Sequence, residues 1–191
     1  RPIVLSTTGY GQGISVTPLQ HVRAIAAVAN GGKLMQPYVI KEWCEKDQCH
    51  ATEPKVLREV IEPAVSEIIK PMMVRAANGQ YAHQEEMWFS QCYPEAVPLV
   101  PGYNVAAKTG TSSIPDGNGG YEASTIGSIA GFGPTENPQF AVLVKLDRTK
   151  DIWGVSAIPV YAGVMKRLFS PYQLPPNPDP VSYTHMTLPT I

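Results

Sequence analysis

Val105-Ala106-Ala107-Lys108-Thr109-Gly110-Thr111-Ser112-Ser113 is the stretch on which the reading of this chain turns. Three apolar residues lead into a cation, and two threonines follow with a glycine between them. The pattern predicts a strand. Side chains alternate across a strand, so Thr109 and Thr111 share one face while Lys108 and Gly110 share the other. A glycine inside a strand weakens it and marks a bulge or the close approach of another backbone. Taken alone, Lys108-Thr109-Gly110 is read equally well as an edge strand whose lysine discourages aggregation.

The rest of the chain narrows that choice. Its 191 residues are enough for one domain with a sizeable core. Apolar residues make up 43% and the net charge is -1, a globular composition without the basic excess of a nucleic-acid binder. No apolar run reaches the roughly 18–20 residues of a membrane span, and no signal peptide opens the chain. Arg1-Pro2 does not read as a translation start, so the chain is expected to begin inside something larger. Of the three cysteines, Cys44 and Cys49 flank a short polar stretch, and Cys92 stands apart. A zinc site would need a second close pair, so no metal is expected. A Cys44–Cys49 bridge and three unpaired thiols both stay open.

In chain order, Thr8-Gly9-Tyr10-Gly11-Gln12-Gly13 fails the spacing of a dinucleotide or phosphate loop and reads as a tight turn. Ile14-Ser15-Val16 reads as a short strand or an extended lead. Thr17 caps a helix and Pro18 takes its first position. Leu19, Val22, Ala26 and Ala29 form its buried stripe, and Asn30-Gly31-Gly32 ends it. His21 beside that stripe is a boundary histidine with no catalytic partner in view.

Residues 38–43 and 56–60 are predicted to pair as a surface hairpin around the cysteine loop. Residues 63–78 are helical by spacing, with Pro71 expected to kink or split the helix and Asn78-Gly79 to cap it. Residues 80–101 carry aromatic and acidic side chains without a period and read as a long loop near the site. His83-Gln84-Glu85 echoes a deaminase motif whose cysteine half is absent. Pro115-Asp116-Gly117-Asn118-Gly119-Gly120 is a turn, residues 124–132 a strand of small side chains, and residues 140–146 an alternating strand. With the opening stretch they make an antiparallel meander. Residues 158–169 form a helix whose stripe runs through Val160, Val164 and Leu168 with Tyr161 and Met165 beside it. The expected fold class is α+β, an antiparallel sheet flanked by helices.

Three ordered blocks resemble the C-terminal part of the transpeptidase domain of class B penicillin-binding proteins. The first is Gly11-Gln12-Gly13-Ile14-Ser15-Val16-Thr17-Pro18-Leu19-Gln20, with Ala26 through Lys33-Leu34 and Pro37. The second is Lys108-Thr109-Gly110, the third motif of the penicillin-binding and serine β-lactamase fold. The third joins Gly127-Ser128-Ile129-Ala130-Gly131-Phe132-Gly133-Pro134 to Asn137-Pro138-Gln139-Phe140-Ala141-Val142. The resemblance covers roughly residues 9–170. Ala107 stands where the family often has glycine, and Ser112-Ser113 replace a common Ala-Gln.

The resemblance implies acyl transfer. A serine attacks the D-Ala-D-Ala bond of a peptidoglycan stem peptide, an amine from a neighbouring stem resolves the acyl-enzyme, and β-lactam antibiotics trap the serine. It implies substrate-binding roles for Lys108, Thr109, Gly110 and Thr111. Lys108 supplies positive potential toward the substrate carboxylate, and Thr109 or Thr111 supplies a hydroxyl. The Thr111 backbone N–H serves as one oxyanion-hole donor. No cofactor is implied, and the partners are stem peptides, β-lactams and other cell-wall synthesis proteins, with no nucleic acid. The implied location is the extracytoplasmic face of a bacterial membrane, with the anchor upstream. Yet no serine here has lysine three positions on, and no serine or tyrosine has asparagine two on. The nucleophile and base are expected upstream of residue 1, and the chain alone is expected to be inactive. A β-lactam sensor or β-lactamase-like hydrolase, and a non-catalytic interaction domain on the same fold, stay open as alternatives. The partial domain is placed at residues 1–172 and a Pro-rich linker at 173–180. Residues 181–191, which resemble a translated adapter, read as a non-native tail.

Overall fold

The computed structural model describes residues 2–9, 11, 13–80, 98–150 and 157–176. In chain order its elements are α1 (Pro2–Thr8), α2 (Pro18–Ala29), β1 (Lys33–Met35), β2 (Glu42–Glu45), β3 (Gln48–Ala51), β4 (Val56–Glu59) and α3 (Pro63–Arg75). A π-helical turn (Ala76–Gln80) follows, then β5 (Ala106–Pro115), β6 (Tyr121–Gly133), β7 (Phe140–Thr149) and α4 (Ala157–Phe169). The expected meander is the centre of the fold: β5, β6 and β7 form one antiparallel sheet in that order. Thus the α+β class matches expectation.

Helices cover both faces of this sheet. On one face Val105, Ala107 and Ile129 pack with Ile158, Tyr161, Met165 and Phe169 of α4. On the other, Ala106 and Phe132 pack with Ala29 of α2 and Val74 of α3. The split follows from strand alternation, since Ala106 and Ala107 are neighbours in sequence and lie in different cores. On α4 the buried stripe is Ile158, Tyr161, Met165 and Phe169, while Val160 is exposed. The sequence reading was therefore rotated by one position: Val160, Val164 and Leu168 share a period with the true stripe, and periodicity alone does not choose between adjacent stripes.

The start of α2 is as read. Gln20 N donates to Thr17 Oγ1 at 3.2 Å and Thr17 N donates to Gln20 Oε1 at 2.8 Å, a reciprocal cap that satisfies two helix-start donors. Its burial differs: Ala27 and Ala29 are buried and Leu19 is exposed, because the C-terminal half of α2 makes the contact with the sheet. Ile14-Ser15-Val16 joins no sheet. α1 was not foreseen.

The predicted hairpin is replaced by one shorter hairpin and one longer-range pairing. β2 pairs with β3 across Lys46-Asp47, and β4 pairs with β1 instead of with residues 38–43. Cys44 lies opposite Cys49 and the two form a disulfide. Trp43 stacks on His50 at 4.4 Å in the next register position. The polar loop therefore contains its own hairpin, closed by a two-residue turn with Lys46 at φ 55°. Pro71 does not split α3, which runs unbroken from Pro63 to Arg75. Ser66 Oγ donates to the Val28 carbonyl of α2, and Val74 is buried, so packing on both sides of Pro71 outweighs its local cost of about 3 kcal/mol. The segment 81–97, with His83, Glu85 and Cys92, and residues 177–191 lie outside the described residues.

Gly131 sets the distance between β5 and β6. A Cβ there would stand 2.0 Å from the Ala106 carbonyl oxygen and 2.6 Å from the Tyr161 hydroxyl. Gly131→Ala should therefore lower stability in urea unfolding by about 1–3 kcal/mol, as overpacking does. Gly163, in α4, has nothing within 4 Å of its added Cβ. Gly163→Ala should raise stability by about 0.5–1 kcal/mol through helix propensity. Equal shifts for the two variants would contradict this packing.

Candidate active site

Burial changes abruptly along β5. Val105, Ala106 and Ala107 have no exposure, whereas Lys108 is exposed, Thr109 and Gly110 are half-buried, and Thr111 is exposed. The apolar lead anchors the strand in both cores, and the polar stretch emerges from them at a fixed height.

Two buried asparagines, one read from the sequence only as a helix cap and the other not singled out, hold the entry to this strand. Asn78 closes the end of α3. Its Nδ2 donates to the Val74 carbonyl at 3.0 Å and to the Val105 carbonyl at 3.4 Å, and its Oδ1 accepts from Leu99 N at 2.9 Å. It is thus a bridge rather than the simple helix cap expected. Asn104 donates to Glu136 at 2.6 Å, and its carbonyl accepts from both the backbone N and the Oγ1 of Thr135. Asn-Gly and Asn in a loop are ordinary turn signals, so the sequence carried no mark of either role.

These bonds also orient the strand's edges. The Asn104 carbonyl points to the side of Thr135, just past β6, and the Val105 carbonyl to the opposite side, toward Asn78. In an antiparallel strand the N–H and C=O of one residue point the same way, and successive residues alternate. The register runs unbroken from Ala106 to Ser113. Alternation therefore carries the backbone groups of Ala107, Thr109 and Thr111 to the edge away from β6. Lys108 Nζ donates to the Thr109 carbonyl at 2.8 Å, as an outward carbonyl allows. Among the described residues no strand pairs along that edge.

The side chains divide across the sheet. Lys108 and Gly110 extend the face of Ala106, and Thr109 and Thr111 extend the face of Ala107. A cation and a hydroxyl on opposite faces reach one ligand only at the strand's edge, where both faces and the backbone donors meet. Among the described residues no carboxylate lies within ion-pair distance of Lys108, so its charge is not neutralised locally. Gly110 is less open than the sequence suggests. A Cβ on it would lie 2.9 Å from Ser128 Oγ, which donates to the Gly110 carbonyl at 3.3 Å. On the sheet side the missing side chain makes room for Ser128. Beyond the strand, Asp116 Oδ1 accepts from Asn118 N at 2.8 Å and Gly120 N at 2.9 Å and shapes the turn to β6. Among the described residues no group of three or more His, Cys, Asp or Glu could hold a metal ion.

The family model for the penicillin-binding protein transpeptidase domain matches residues 3–168. Stage V sporulation protein D of Bacillus subtilis is 33% identical, over 86% of this chain and 24% of its own length. A peptidoglycan D,D-transpeptidase FtsI homolog of Mesostigma viride is 28% identical, over 90% of this chain and 30% of its own. The apo transpeptidase domain of Burkholderia pseudomallei penicillin-binding protein 3 superposes with a TM-score of 0.71 at 27% identity. It is matched over 93% of this chain and 49% of that one. The chain thus spans about a quarter to a third of the length of these curated relatives.

Gly110→Ala should displace the Ser128 hydroxyl and forfeit its bond, at a cost of up to about 1.5 kcal/mol. The hydroxyl is a single rotor, so the backbone need not move. Ser128→Ala removes the clash, and the double variant should lose less stability than the sum of the single ones. Additive losses in urea unfolding would contradict the contact.

Proposed function

The chain belongs to the penicillin-binding protein transpeptidase family, and from that premise we propose that it carries the substrate-holding wall of a peptidoglycan D,D-transpeptidase. The observation that supports this reading most directly is the placement of Lys108-Thr109-Gly110-Thr111 on a strand that, among the described residues, has an unpaired edge and a cation with no ion-pair partner.

The stem peptide lies along the outer edge of β5 as an added strand. Lys108 and a threonine hydroxyl receive its terminal carboxylate. The Thr111 N–H, directed to that edge, donates to the scissile carbonyl oxygen as negative charge builds on it. A serine supplied from outside residues 1–191 attacks that carbonyl carbon, and the C–N bond breaks as the terminal D-alanine leaves with a proton. The amine of a neighbouring stem then attacks the acyl ester and frees the serine. A β-lactam enters the same way, its ring amide in place of the peptide bond, and leaves the serine acylated. The enzyme faces the cell wall, on the extracytoplasmic side of the membrane, with an anchor outside this chain. Among the described residues no helix is long and apolar enough to cross a membrane. Residues 1–172 form the domain part, 173–180 a linker and 181–191 a non-native tail. A β-lactam sensor or β-lactamase-like hydrolase is less well supported, because the matching family model is that of the transpeptidase domain and the curated relatives carry transpeptidase or penicillin-binding names.

Labelling with a fluorescent penicillin tests the reading. Residues 1–191 alone should form no denaturation-resistant adduct, because nucleophile, activating lysine and half of the oxyanion hole act as a unit. Joined to the preceding part of its own domain, the chain should label. Lys108→Ala in that joined protein should slow acylation at least about 100-fold. Labelling of the chain alone, or an unchanged rate for Lys108→Ala, would overturn the assignment.

A further inference from the structure

We propose that the cleft between α2 and the β1–β4 pair binds an acidic peptide segment, its carboxylate held by Arg23 and Arg58. This inference stands independently of the transpeptidase reading. The cleft has a volume of about 440 Å³, within the usual range of ligand sites. Its floor is apolar, formed by Ala27, Val28, Leu34, Val60 and Ile61, and its polar side chains are Arg23, Arg58 and Gln20.

Arg23 is half-buried and anchored at one end. Its Nε donates to the Met35 carbonyl at 3.0 Å, which ties α2 to the end of β1. Its Nη2 is buried and has no hydrogen-bond partner among the described residues. A guanidinium is always charged and carries its donors in a rigid fork, so a buried nitrogen without an acceptor is costly. Arg58 lines the same cleft from β4, on the strand face it shares with Val60. Among the described residues no acidic side chain lines the cleft. Glu59 alternates to the other face of β4 and stands opposite Lys33. Two cations over an apolar floor, with one donor unmatched, call for a bidentate anion attached to something apolar. A glutamate or aspartate beside an aliphatic side chain meets both requirements, whereas a bare phosphate leaves the floor uncovered.

The cleft is also preformed. Gly32, at φ +98°, brings its backbone so close to β4's exit that a Cβ would stand 1.9 Å from the Ile61 carbonyl oxygen. Val60 N donates to the Gly32 carbonyl at 2.8 Å. These contacts fix the wall carrying Arg58 against the helix carrying Arg23.

The test is an NMR titration of the chain, joined to the preceding part of its own domain, with acetyl-Leu-Glu-Leu-amide, its glutamine counterpart and inorganic phosphate. The glutamate peptide should shift resonances of Arg23, Leu34 and Val60 and bind at least about fivefold more tightly than either other probe. Arg58→Gln, at an exposed strand position, should weaken it at least about fivefold while leaving the spectrum folded. Arg23→Met, which keeps the stem's packing, should do the same. Equal binding of the glutamine peptide or of phosphate would overturn the proposal. So would affinity unchanged in both variants, or no shift with the glutamate peptide.

Discussion

The candidate site depends on how closely β5 can lie against β6. Gly131 removes the one side chain that would collide with the Ala106 carbonyl and the Tyr161 hydroxyl. With that obstacle gone, Tyr161 sits fully buried beneath the strand and within 3.4 Å of the same carbonyl. Burial pushes its phenol well above the usual range, so it stays neutral and acts as a filler with a donor tip. The register from Ala106 to Ser113 follows from this fit, and the register decides which backbone groups reach the outer edge. A shift of one residue would turn Thr111 inward and Gly110 outward.

The two asparagine clamps act on the same strand from its N-terminal end. Asn78 joins α3 to Val105, and Asn104 joins the strand's entry to the segment after β6. Each is nearly fully buried, so each of its bonds is made in a low-dielectric setting where an unmade bond is expensive. The polar stretch can therefore project without its base moving. The burial step between Ala107 and Lys108 is the visible sign of that division of labour.

Local signals were legible in the sequence. The cap at Thr17, the stop at Asn30-Gly31-Gly32, the turn at 115–120 and the alternation of β7 all act within a few residues, and the structure has them where they were read. Longer-range choices were not legible. β4 could pair with either upstream segment, and only the folded backbone shows that Gly32 brings β1 into reach. Glu42-Trp43-Cys44-Glu45 and Gln48-Cys49-His50-Ala51 lack the β-branched run that announces a strand, yet a tight turn and a disulfide close them. The lysine-threonine-glycine motif was legible as a motif. That its lysine and threonines straddle the strand follows from alternation, but that they meet at an edge left unpaired among the described residues required the topology.

The meander has a kinetic side. β5 and β6 are joined by a turn whose own Asp116 satisfies its amides, and β6 and β7 by a short connection. Closing such small loops loses little chain entropy compared with pairing segments far apart, as β1 and β4 must. Lys108 finds its place opposite Ala130 through the most local part of the topology. The part of the molecule that must be most accurately aligned is also the part whose alignment demands the shortest search.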